Sequence, residues 1–205
     1  MRFPPAFILL GLALLGLAGC PFNAPTRLYV LTATTDKPAS TSPEGLAIGV
    51  GPITLPKYLD RPQIVTRVEA NSLDQASLDQ WGGDLNDNIT RVVATNLSNL
   101  LATDRVSLYP WKDGAPVDFQ VTMDISRFEQ DKDGNAVLNV FWSIVNKDGT
   151  VLLMRRSSYS QSAGEPASSQ PDNPRPFDAQ AAAMSRDLAL LSSDIATAIT
   201  GLKGS

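Results

Sequence analysis

Apolar residues change period along this chain, and the changes mark out its elements. Between residues 81 and 101 they recur every three or four positions: Trp81, Leu85, Ile89, Val92, Val93, Leu97, Leu100 and Leu101. That spacing predicts an amphipathic helix. Asp79, Asp84 and Asp87 stand near its expected start, where the helix dipole favours negative charge. Gly82 and Gly83 blur the first turn. A second stripe, Phe177, Ala181, Met184, Leu188, Leu191, Ile195 and Ile199, predicts a helix over 177–199, with Gly201 placed to end it. Between these stripes the period drops to two. Phe119, Val121, Met123 and Ile125 alternate with polar residues, as do Leu138, Val140, Trp142 and Ile144. Strict alternation is the mark of a half-buried strand.

Residues 151–159 form a third candidate strand in this region. Lys-Asp-Gly occurs at 112–114, 132–134 and 147–149, each time between candidate strands. Asp-Gly supplies the positive φ of a tight hairpin turn, so residues 117–160 read as a three-stranded antiparallel meander. Upstream, residues 27–31, 46–53 and 63–68 are strand-like, and 105–109 is a short strand. Gly51-Pro52 ends the second of these or places a bulge in it. Residues 32–45, 55–62 and 161–175 are expected to be irregular, the last an exposed, mobile loop. About six strands and two helices that do not strictly alternate predict an α+β fold: an antiparallel or mixed sheet with both helices packed on one face.

The first twenty residues follow a different logic. Arg2 precedes an apolar run over 7–18, too short for a spanning helix, which needs ~20 apolar residues. The run suits a secretory signal. Leu17-Ala18-Gly19-Cys20 closes it, and Cys20 is the only cysteine in the chain. This resembles a bacterial lipobox, the signal for lipid attachment to the thiol and cleavage before it. The expected organisation is a signal peptide at 1–19, a lipidated tether at 20–26 and a single domain at 27–202. Cys20 would then carry S-diacylglycerol and an N-acyl chain, leaving no free thiol and no disulfide.

Composition narrows the chemistry. The formal charge is −4; removing residues 1–19 takes away Arg2 and no acid, so −4 becomes −5. An acidic domain is a poor partner for nucleic acid. There is no histidine. That excludes Ser-His and Cys-His catalysis and leaves only all-oxygen metal sites. Asp131-Lys132-Asp133-Gly134-Asn135 resembles the start of a calcium loop. Its glycine is fourth rather than sixth and Trp142 stands where the bidentate glutamate belongs, so a hairpin turn fits better. Asp84 and Asp87 are one turn apart and could be paired carboxylates, yet a helix start explains both. Gly82-Gly83 lacks the spacing and lysine of a phosphate loop. No catalytic residue, metal or cofactor beyond the covalent lipid is expected. Trp81 and Trp142 read as core. Trp111, after Tyr109-Pro110, either packs locally or forms a contact surface. The loop containing Tyr58, Asp60 and Arg61 is either rigid, with local pairing of Asp60 and Arg61, or a docking loop.

Residues 55–67, LPKYLDRPQIVTR, closely resemble the signature of the ABC-type transport auxiliary lipoproteins, the PqiC-like family. Supporting segments follow in the family's order. They are Tyr29-Val30-Leu31, Trp81, Asp84-Leu85, residues 91–101, Arg105-Val106, Tyr109-Pro110-Trp111, Phe128 and residues 184–199. The resemblance implies a non-enzymatic, periplasm-facing lipoprotein that accompanies an MCE-domain transport system moving lipid between membranes and supporting envelope integrity. It implies docking of the MCE subunit; the candidate docking residues are those of the loop and aromatic turn read above, Tyr58, Asp60, Arg61 and Trp111. It is compatible with a homo-oligomer. Pro21 follows Cys20 where aspartate would retain the protein at the inner membrane, so the outer membrane is expected. The alternative is a lipid-binding carrier or chaperone whose helices cover an acyl-chain cavity.

Overall fold

The structure is a computed structural model that describes residues 25–36, 45–111, 117–165, 172 and 175–203. Eight strands and two helices follow in order: β1 (Arg27–Tyr29), β2 (Ile48–Thr54), β3 (Gln63–Glu69), β4 (Ser72–Trp81), α1 (Leu85–Leu101), β5 (Val106–Leu108), β6 (Phe119–Gln130), β7 (Asn135–Asn146), β8 (Val151–Ser162) and α2 (Asp178–Lys203). The fold is α+β, as the periodicities predict.

The meander is the backbone of the sheet. β6 pairs antiparallel with β7 from Phe119↔Asn146 to Gln130↔Ala136, and β7 pairs antiparallel with β8. Both turns are built by their own side chains. Asp131 Oδ1 accepts from the N–H groups of Asp133 and Asn135 at 3.0 and 2.9 Å, and Asn146 Oδ1 accepts from Asp148 and Thr150. Gly134 and Gly149 take φ of 81° and 80°, a region costly for residues with a Cβ. The carboxylate of Asp131 is thus used by its hairpin. Residues 112–116, with the first Lys-Asp-Gly, lie outside the described residues.

The other edge of β6 is shared. β2 runs parallel along its first half, Ile48↔Phe119 to Thr54↔Asp124, and β3 meets its last residue at Thr66↔Gln130. β5 lies parallel beside β2; β4 and then β1 extend from β3. The register of β2 shifts between Val50 and Ile53, so Gly51-Pro52 places a bulge rather than a stop.

Both helices cover one face. α1 packs on β2 and β5, α2 on β6, β7 and β8, and the helices touch each other. Ile89, Val93 and Leu97 from α1 and Leu188, Leu191, Ile195 and Ile199 from α2 are fully buried against Val121, Leu138, Trp142 and Ile144. At ~1.5–3 kcal/mol for each large apolar side chain removed from water, this layer dominates folding. Phe141 and Met154 point to the opposite, open face.

Four sequence expectations are corrected. Residues 72–81 form strand β4, so Trp81 ends a strand instead of opening a helix. Asp84 is the N-cap of α1, its side chain accepting from Asp87 N–H. β4 was hidden because most of it is exposed on both faces and carries no alternation; only Asp79 and Trp81, at its end, are buried. Asp79 therefore serves no helix dipole. Gly201 does not stop α2, which continues to Lys203. Finally, β8 runs to Ser162 and Ala163 is buried, so the expected loop at 161–175 begins later; residues 166–171 and 173–174 lie outside the described residues.

Candidate docking face

The motif at 55–67 folds as a turn (residues 55–62) leading into β3. Leu59 fills the core. Tyr58 turns inward, and its hydroxyl donates to Glu129 Oε2 at 2.9 Å. Glu129, on β6, is fully buried. It also accepts from Arg67 Nε at 2.8 Å, Arg127 Nε at 2.7 Å and the Phe128 N–H at 3.1 Å. A buried carboxylate is tolerable only when paired and hydrogen-bonded, and here two arginines and a phenol do both. Burial pushes the Tyr58 phenol up, and the charge of Glu129 adds to it, to about 12. Two residues of the motif, Tyr58 and Arg67, thus clamp the turn and β3 onto the shared edge of β6.

A second, part-buried pair ties down the start of the domain. Arg27 donates twice to the Asp79 carboxylate at 2.6 Å, and Tyr29 adds a bond at 2.7 Å. Burial pushes Asp79 up, but the hydrogen bonds from Arg27 and Tyr29 outweigh it and the carboxyl titrates below its ordinary range. Arg175 lies over the Tyr29 ring at 4.8 Å, joining the approach to α2 to the same corner.

Asp60 and Arg61 are exposed on the same turn but do different things. Arg61 donates to Gln75 Oε1 on β4. Asp60 lines a depression with Asp84, Asn86 and Asp87 at the start of α1. That depression shares Ile53, Asn86 and Asp87 with a larger open groove of about 710 Å³ between β2, the end of β5 and α1. Trp111 lines the far end of the groove. Its ring stands edge-on to Tyr109, with centroids 5.5 Å apart, and lies over Gly49, where any Cβ would come within 2.5 Å of the indole. The structure therefore places Trp111 in the groove and Asp60 in the depression that adjoins it, and leaves Tyr58 and Arg61 off both. Cys20 lies outside the described residues. Sequence reasoning missed Glu129, whose only trace was an acidic residue near the end of an alternating strand. It also missed Arg91 and Asn86 in the groove wall.

Among the described residues no three His, Cys, Asp or Glu side chains gather as a metal site. Nor is any helix long and apolar enough to cross a membrane.

Residues 29–196 match the family described as the ABC-type transport auxiliary lipoprotein component. The chain belongs to that family. The match spans every strand and helix from the end of β1 into α2. Among solved structures, protein XCC0632 from Xanthomonas campestris superposes with a TM-score of 0.63 at 19% identity, over 87% of this chain and 98% of that one. A crystal structure of an uncharacterized protein gives 0.66 at 17% identity, over 86% and 99%. These two share the fold. A PelC dodecamer from Paraburkholderia phytofirmans aligns more loosely, with a TM-score of 0.40 at 15% identity over 78% of this chain and 92% of that one. No curated protein matches the chain.

Proposed function

We propose that this auxiliary lipoprotein is the membrane-anchored adaptor of an MCE-type ABC lipid transport system. Lipid on Cys20 holds it to the periplasmic leaflet of the outer membrane, and the folded domain docks the MCE-domain subunit, supporting envelope integrity. The observation that carries this reading is the family match over residues 29–196, and the resemblance of residues 17–20 to a lipobox supports it. Physical arguments support it. Acyl chains contribute ~0.8 kcal/mol per buried methylene, so a diacylglycerol plus an N-acyl chain anchors firmly without a spanning helix. The tether from residue 20 to residue 26 reaches at most ~25 Å when extended, which keeps β1 close to the bilayer. An acyl-chain carrier would need an apolar cavity under the helices. That space holds Trp142, Phe128, Met184 and Leu188, each less than 2% exposed.

Replacement of Cys20 by alanine, behind a signal peptide that is cleaved without lipidation in place of residues 1–19, tests the anchor. The variant is expected to fold and to appear in the soluble periplasmic fraction. Retention of Cys20→Ala protein in washed membranes at the wild-type level contradicts lipid anchoring.

A further inference from the structure

β8 ends the sheet on one side, paired with β7 alone. Its register with β7 is unbroken from Asn135↔Ser162 to Ile144↔Leu153. In an antiparallel pair, alternate residues turn both N–H and C=O away from the neighbouring strand. The bonds at the far end show which residues these are. Ala163 N–H turns inward to Gly134 O at 2.8 Å. Ser160 O and Ser162 O turn outward, where the side chains of Gln161 and Arg186 donate to them at 3.0 and 2.8 Å. The same alternation turns Ser158, Arg156 and Met154 outward. Among the described residues nothing bonds the N–H or C=O of these three from that side. All three are exposed. Residues 153–162 contain no proline and no bulge, so nothing in the backbone blunts this edge. Two arginines flank it on opposite faces. Arg155 stands 5.9 Å from the Trp142 ring centroid on the helix side, and Arg156 stands 5.6 Å from that of Phe141 on the open face. Neither is in a salt bridge among the described residues.

We propose that the β8 edge takes an extended segment of a partner polypeptide as a further strand, and that the segment carries two adjacent carboxylates beside an apolar residue. The inference rests on the docking reading above and names the recognition element. From Met154 to Ser158 the open edge spans ~17 Å, room for about five residues of an added strand. Strand addition takes affinity from the main chain and specificity from the side chains. Successive side chains of a strand point to opposite faces. A carboxylate beside Arg155 and one beside Arg156 are therefore consecutive in the partner's sequence. The next position lies beside Met154, which is 68% exposed and continues an exposed apolar stretch from Val151 and Leu152. The edge disfavours other occupants. Antiparallel pairing with β8 of a second copy, centred on the strand, gathers four guanidiniums, and like charges across a ladder repel. A lipid surface has no backbone to match a row of alternating donors and acceptors.

The test is selection of random twelve-residue peptides displayed on phage against the full lipidated protein in detergent. Selected peptides are then titrated into wild type and into protein carrying both Arg155→Glu and Arg156→Glu, with thermal melts confirming that the variant folds. Arg155→Gln with Arg156→Gln replaces it if it does not. The expected peptides carry paired acidic residues next to an apolar one. Their binding weakens about tenfold in the double Glu variant and weakens with added salt. On wild type they slow hydrogen exchange at the amides of Met154, Arg156 and Ser158. Recovery of no binding peptides, of basic peptides only, or of peptides that leave those three amides exchanging as in free protein overturns the proposal. So does equal binding to the folded variant. Protection of the same amides without peptide, in protein that sediments as a dimer or larger, assigns the edge to a second copy and also overturns it. A parallel capture separates the proposal from the docking reading. If the double variant retains an MCE subunit as well as wild type does, the edge assignment fails and docking stands. If wild type retains none, docking fails, and the peptide selection with hydrogen exchange decides the edge.

Discussion

Replacing Asp187 with asparagine should stabilise the domain at pH 8 and leave it nearly unchanged at pH 4. Asp187 lies in the middle of α2 and is fully buried. Neither carboxylate oxygen has a hydrogen-bond partner among the described residues. Burial pushes its pKa up from 3.8 to about 7, against a small opposing pull from Arg186. An acid whose folded pKa is raised contributes fully below its unfolded value. That contribution is lost as pH rises through the folded one. In the window from about pH 4 to 7 the folded state holds one proton more than the unfolded state, so stability falls by at most ~1.4 kcal/mol per pH unit. Three units set a ceiling of ~4 kcal/mol; with local relaxation and water entry, ~2–3 kcal/mol is the expected loss. That is a large share of the ~5–15 kcal/mol typical of a domain. The absence of histidine keeps this window free of its commonest titrating side chain. The assay is urea unfolding of wild type and Asp187→Asn at half-unit steps from pH 4 to 8. A wild-type curve that is flat from pH 5 to 8, or an Asp187→Asn curve with the same slope, refutes the reasoning.

Three further outcomes follow from the buried contacts. Glu129→Ala leaves Arg67 and Arg127 without their shared carboxylate and is expected to cost ~3–5 kcal/mol in urea unfolding; a loss under 1 kcal/mol counts against the clamp. Asp79→Asn should destabilise by ~2 kcal/mol at pH 7, and by less at pH 3. The depressed Asp79 carboxyl stabilises above its ordinary value, and that contribution is lost as pH falls through the folded one, so equal effects at both pH values contradict the Arg27 pairing. Gly49→Ala places a methyl where the Trp111 indole rests. With Trp81 and Trp142 buried, fluorescence quenching by acrylamide should rise for Trp111 alone; quenching at the wild-type level means the indole does not rest there.

The sequence made the sheet's meander and both helices legible because each has one buried face and therefore a clean period. β4 was illegible for the opposite reason. Its exposed length carries Ser72, Asp74 and Gln75 without alternation, and only tertiary pairing with β3 makes it a strand. The candidate site divides in the same way. The motif at 55–67 is visible as a run of residues, but which of its side chains faces inward is not. Tyr58 and Arg67 reach Glu129, 71 and 62 positions away, and nothing local encodes that meeting. Asp60 and Trp111 are 51 positions apart in the chain and line adjoining depressions only because β2 passes between them.

The proposed role is that of an adaptor joining a membrane to an MCE-type transporter. Chemical cross-linking of the full lipidated protein in intact envelopes, followed by purification and mass spectrometry, tests it most directly. An MCE-domain subunit is expected to be recovered cross-linked to the wild-type protein and to be lost when the protein is absent. Correctly lipidated, folded protein that yields no MCE-domain subunit contradicts it.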